Sequence, residues 1–223
     1  MLSAHVGRGS LCSPFLSVLP VTGAAISVLA GVSGQSTMCS SDATAARLDE
    51  LQFDLGEGPC WDAMTARTPV LRPDFGRGDA HRWPMFTDAV RGDSRGAEVQ
   101  AIFAFPLFVG SLDIGAVDLY STTSAPLEEH EVTDATELAS VAAWQVLRRI
   151  LSDTASDDAA GPSTYNRREV HQATGMVLAQ LDITAEEAAL LLRAHAFSSG
   201  RSVAEVANDI VERRLTFADD GTP

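Results

Sequence analysis

Thr184 and Ser202 each stand three residues before a glutamate, Glu187 and Glu205, and "SSGR" lies between the two stretches they open. A hydroxyl residue followed three positions later by Glu is a capping box. The hydroxyl takes the backbone N–H of the third helical residue, and the carboxylate takes that of the cap. Two boxes around a glycine break leave one economical reading: a helix from about residue 164 to 181, a second from 185, and a third from 203. The third carries Val203, Val206, Ala207, Ile210 and Val211 on one face at a 3.6-residue period. Three short helices with apolar stripes must pack on one another.

Upstream, the pattern changes. "AIFAFPLFVGSLDIGAVDLYS" holds two apolar runs around Gly110 and Ser111, a hairpin whose Pro106 implies a bulge or a sheet edge. "AAISVLA" and "STMCSS" read as a strand and its hairpin partner, with Gly31 and Gly34 in the turn. "ATAARLDELQF", the stretch after "LGEGPC" and "RWPMFTDAVRG" read as helices, and "PVLRPDF" as a short strand. "PLEEHEVTDATELASVAAWQVLRRIL" reads as one long helix, acidic at its start and basic near its end, as the helix dipole favours. Strand pairs interleaved with helices predict an α+β fold, an antiparallel sheet with helices on its faces. The acidic, small-residue segment 152–163, with Gly161-Pro162, reads as a linker. The expected organisation is therefore an α+β domain over 10–151, a linker over 152–163 and a three-helix domain over 164–217.

Charge narrows the function. The formal net charge is −14, every basic residue is arginine, and residues 1–162 set 21 acids against 10 arginines. That field repels phosphate, so the first domain is no general nucleic-acid binder. The three-helix region, with six arginines and seven acids, is nearly neutral. Its Arg167, Arg168, Arg193, Arg201, Arg213 and Arg214 fit either a solvated helical surface or a local patch for phosphate.

Chemistry-bearing motifs are scarce. No GxSxG, HExxH or phosphate loop occurs, and "LGEGPC" continues into Pro-Cys rather than a phosphate cradle. Cys12, Cys39 and Cys60 are odd in number and widely spaced, so neither a disulfide framework nor a zinc site is expected, and a reducing cytoplasm fits. His130, Glu131, Asp113 and Asp118 read as solvated positions, and no metal ligands are predicted. No catalytic residue is nominated, and a non-enzyme is expected. The apolar stretch 11–36 could pass for a signal peptide, but Pro14, Pro20, Thr22 and Gly23 interrupt it. The apolar runs left between these interruptions are each shorter than the ~20 residues of a membrane span. A short helix, a turn and a strand are expected there.

Two resemblances add to this reading. "QATGMVLAQLDIT", "EEAALLLRAHA" and "RSVAEVANDIV" resemble the ANTAR domain of transcription antitermination regulators, over residues 165–215. "GAAISVLAG", "CSSDATAARLDELQFDLGEGPCWDA" and "AIFAFPLFVGSLDIGAVDLYS" resemble a GAF domain, the sensory half of actinobacterial GAF–ANTAR proteins. The first resemblance implies a homodimer that grips paired stem-loops in an mRNA leader and keeps a terminator from forming. It also implies small pattern positions at Ala173, Gly175, Ala188 and Ala207, and RNA contacts through Arg167, Arg168, Thr174, Arg193 and Arg201. Thr174 stands where many relatives have lysine; a hydroxyl can donate to phosphate but brings no charge. The second implies a small-molecule or protein signal of unknown identity, with Cys60, Trp61, Phe103 and Phe105 as candidates for lining a pocket. The resemblance leaves any cofactor unknown. A sensor whose three-helix tail serves only protein–protein contacts is the alternative.

Gly175 poses a question of its own. A glycine inside a helix costs roughly 0.5–1 kcal/mol relative to alanine. The expectation is a close approach at that point, by another helix or by RNA backbone, with helix packing slightly favoured.

Overall fold

In a computed structural model, the structure describes residues 11–29, 36–75, 81–153 and 162–217, with the side chains of 153 and 162–168 excepted. The chain divides into two compact units, 1–157 and 158–223.

The first unit is built on one antiparallel sheet. Its strands are β1 (Gly23–Val28), β2 (Ser36–Ser40), β3 (Val70–Arg72), β4 (Ala101–Val109) and β5 (Leu112–Ser121), in the order β2-β1-β5-β4-β3. The helices are α1 (Ser13–Val18), α2 (Ala43–Leu55), α3 (Pro59–Ala66), α4 (Pro84–Gly92) and α5 (Glu129–Asp153). The sheet is covered on both faces, which is why its central strands read as continuous apolar runs. On one face Ala24, Ile26, Phe103, Phe105, Leu107, Val117 and Leu119 meet α1 and Ala135, Ala139, Ala142, Ala143 and Val146 of α5. On the other, Ala25, Ile102, Ala104 and Tyr120 meet α2, Ala63 of α3 and Phe86 of α4. Strand alternation sends neighbouring residues of one strand to opposite cores.

"LGEGPC" is a helix stop followed by a helix start. Gly56 ends α2 at φ 67°, and Gly58 precedes α3 at φ 139°. A Cβ on Gly58 would stand 2.6 Å from the Gln52 side chain.

The edge expected at Pro106 is present: among the described residues β3 pairs only with Ile102–Ala104, so β4 has a bare edge at Pro106, where a strand tolerates proline. Pro106 pairs regularly with Ala116, and a register shift falls just after it, between Leu107 and Phe108. Other expectations need correction. Cys12 and Cys39 form a disulfide, Cα atoms 6.1 Å apart. The bridge joins the start of α1 to an edge strand, a proximity that spacing along the chain does not display. Asp118 is buried rather than solvated, because its face of β5 lies beneath α2 and α3. The long helix starts at Glu129, three residues after the expected Pro126. The turn that was to hold Gly31 and Gly34 lies outside the described residues.

Candidate nucleic-acid interface

The second unit is three helices, α6 (Pro162–Leu181), α7 (Ala185–Ser199) and α8 (Val203–Val211). Both capping boxes form. Glu187 N donates to Thr184 Oγ1 at 3.2 Å, and Thr184 N to Glu187 Oε2 at 2.8 Å. Glu205 N donates to Ser202 Oγ at 3.2 Å, and Ser202 N to Glu205 Oε2 at 2.9 Å. Gly200, in the left-handed region at φ 65°, closes α7. With its ends fixed, the trio buries Val170, Ala173 and Val177 of α6 against Ala188, Leu192 and Ala196 of α7 and Val203, Val206, Ala207 and Ile210 of α8. Ala173, Ala188 and Ala207 are fully buried. Alanines at these places let the helix axes approach closely.

Gly175 is different. It is exposed, and a Cβ there would meet nothing within 4 Å. The expectation that another helix of this unit packs against it is incorrect, because the buried stripe of α6 runs through Ala173 and Val177 and turns Gly175 outward. The space beside it opens to solvent.

The arginines divide into distinct environments. Arg201 Nη2 lies 2.7 Å from Asp209 Oδ2 and donates to the Glu205 carbonyl at 3.1 Å. Arg214 reaches the other oxygen of Asp209 at 2.6 Å and also pairs with Glu212. Hydrogen bonds from Arg201 and then Arg214 hold the Asp209 carboxyl below its ordinary pKa. Arg201 therefore spends part of its charge tying the α7–α8 turn to α8. Arg193 is half-buried on α7. Thr174 donates its hydroxyl to the Val170 carbonyl one turn back, at 2.8 Å, so that proton is engaged within the helix. The side chains of Arg167 and Arg168 lie outside the described residues. Exposed apolar side chains share α7: Leu190 is 63% exposed and Phe197 68%.

In the first unit, Cys60 and Trp61 do not share a pocket with Phe103 and Phe105. Cys60 packs with Leu29 and Ala116, flanked by Trp61, whereas Phe103 and Phe105 point to the opposite face, toward α5. The backbone N–H of Cys60 and the indole of Trp61 both donate to Gln52, each at 2.8 Å. Sequence reasoning missed the polar group beside them. Asp49 is buried and accepts from Ser27 and Thr37. Among the described residues, neither carboxyl oxygen of Asp118 nor Nε2 of Gln52 has a partner at hydrogen-bond distance, although the Gln52 amide is near enough to favour the charged carboxylate. Burial first, and the Asp49 charge second, push the Asp118 pKa up to about 8. An acidic residue inside the apolar run "GAVDLY" was the available signal. Among the described residues, no group of three or more His, Cys, Asp or Glu side chains is placed to hold a metal ion.

Known proteins bear on both units. The ANTAR domain family matches residues 165–211. No curated protein matches the chain. Among solved structures, a GAF domain/HD domain protein from Geobacter sulfurreducens is similar at 18% identity, with 64% of this chain and 91% of that one covered and a TM-score of 0.47. The GAF-B domain of DevS from Mycobacterium smegmatis is similar at 14% identity, over 66% of this chain and 94% of that one, with a TM-score of 0.44. Residues 165–211 match the ANTAR domain family, and they follow in the chain an α+β unit of one antiparallel sheet with helices on both faces.

Proposed function

We propose that this protein is a signal-responsive, non-enzymatic RNA-binding regulator of the cytoplasm. In this reading its ANTAR domain binds paired stem-loops in mRNA leaders as part of a homodimer and prevents termination, and its GAF-like unit receives the signal. The observation that carries the reading is the ANTAR match over a three-helix unit whose core and capping boxes are complete. No helix among the described residues is long and apolar enough to cross a membrane.

The dimer has support from α5. Val141, Trp144 and Leu151 are 55%, 63% and 62% exposed, and their helical spacing puts them on one stripe. Large side chains exposed along one line of a helix suit a matching stripe on a second copy.

RNA crosslinked to the full-length protein in cells, then sequenced, tests the reading. The expected result is enrichment of leader segments with two neighbouring stem-loops, and loss of that enrichment in Arg193→Ala. Each lost phosphate contact should flatten the salt dependence of binding by about one unit of slope. Failure to enrich any RNA over a random pool at low salt would favour the alternative, a three-helix tail that binds protein. Leu190 and Phe197 on α7, together with the engaged side chains of Arg201 and Thr174, are what favours that alternative.

A further inference from the structure

We infer that Cys12 and Cys39 form a redox modification site, a thiol–disulfide switch whose substrates are a hydroperoxide in one direction and a protein dithiol in the other. The inference rests on the cytoplasmic reading above, since a bridge in a reducing compartment is characteristically transient or sensing.

The two sulfurs sit unequally. Cys12 immediately precedes α1 and is fully buried in the core shared with α5. Cys39 lies half-buried on β2, the edge strand beside β1. A reductant therefore reaches Cys39 first. Its thiolate attacks Cys39 Sγ, the Cys12–Cys39 bond breaks, and the electron pair leaves on Cys12 Sγ, which takes a proton. The reductant's second thiolate then attacks its own mixed-disulfide sulfur, releasing Cys39 as a thiol and the reductant as a disulfide. In the other direction the Cys39 thiolate attacks a hydroperoxide oxygen, giving a sulfenic acid and an alcohol or water. The Cys12 thiol then displaces water from it and closes the bridge. Cys60 is buried on the opposite face of the sheet, packed with Leu29 and Ala116. It cannot join the exchange while the unit is folded.

The bridge has a mechanical consequence. α1 has only six residues and is held on α5 and the sheet by Phe15 and Leu19. Leu11, Pro14 and Phe15 line one side of a groove of about 360 Å³, and Leu138, Val141 and Ala142 of α5 line the other. Val141 belongs both to this groove and to the exposed stripe of α5. Opening the bridge removes the covalent tie of α1 to β2 and loosens the packing along α5, the last helix of the first unit.

Differential alkylation with mass spectrometry, run on the full-length chain alongside hydrogen exchange, tests this. About one equivalent of hydrogen peroxide should close a Cys12–Cys39 bridge, and a thioredoxin-class dithiol should open it without denaturant. Cys60 should alkylate only on unfolding. Opening should lower Tm by about 5–10 °C and speed exchange in α1 and in the 138–145 stretch of α5. C39S and C39A should each hold the open pattern whatever the redox state, and C60S should switch normally. Three alkylatable thiols after peroxide, a bridge that yields only in denaturant, or unchanged exchange in α5 would each overturn the switch. A chain that cycles its bridge yet enriches no RNA would overturn the RNA reading alone.

Discussion

Asp118 is an acid held where water cannot stabilise its charge, and pH should expose this. With its pKa raised to about 8 in the folded chain, it keeps its proton between roughly pH 4 and 8 while the unfolded chain gives its proton up. The native state then binds more protons than the unfolded one, so this group's contribution to stability falls as pH rises through that window and levels off above it. Asp118→Asn should raise stability near neutral pH, by about 2–4 kcal/mol on linkage grounds, and have little effect near pH 4. Chemical denaturation at pH 4.5 and 7.5 measures the difference; equal gains at both would contradict the assignment. Gly175 makes a second case at this scale. Because its surroundings are empty, Gly175→Ala should stabilise the three-helix unit by about 0.5–1 kcal/mol. In the RNA-binding reading the same methyl group occupies space that a ligand needs, so affinity for stem-loop RNA should fall while Tm rises. Opposite movement of the two readouts separates a surface kept bare for a ligand from an incidental glycine.

Among elements, the shortest-range signals were the most legible. The capping boxes at Thr184 and Ser202 and the hairpin around Gly110 involve residues within a few positions of one another, and each forms as read. Thr184→Ala or Ser202→Ala should each cost about 1 kcal/mol, because the backbone N–H of Glu187 or Glu205 loses the hydroxyl that accepts from it. Thermal unfolding of the full chain, followed for the C-terminal transition, checks this. Facts that depend on which distant element covers a strand were not legible. Phe103 and Phe105 share one face by parity, but nothing local says that α5 lies over that face and α3 over the other. Cys12 and Cys39, 27 positions apart, meet only once β2 has paired and α1 has docked. The outward turn of Gly175 likewise depends on which stripe of α6 the other two helices take up.

The whole molecule pairs an acidic α+β unit with a nearly neutral three-helix unit, so in the proposed reading self-association is what would bring two such weak surfaces to one RNA. Doubling the surface raises the effective concentration of the second contact without any new contact chemistry. If the α5 stripe forms the dimer, Trp144→Glu should leave the fold intact, since that side chain is exposed. It should shift the protein to monomer at micromolar concentration in light scattering, and weaken binding to paired stem-loops far more than to a single one. A dimer that persists in this variant would place the association elsewhere.

The outer half of β4 has a consequence for how such a protein survives at high concentration. Beyond Ala104 the strand has β5 on one side and, among the described residues, no strand on the other, and bare strand edges invite further strands. Pro106 holds a regular place in the ladder, which it can do only where its missing N–H would have pointed away from β5. The edge therefore lacks a donor at its middle. One residue on, the ladder shifts register, and the Arg67 guanidinium covers the exposed Phe108 ring at 5.0 Å. A missing donor, a kink and a charge, spaced over three residues, make this edge a poor template for amyloid-like growth.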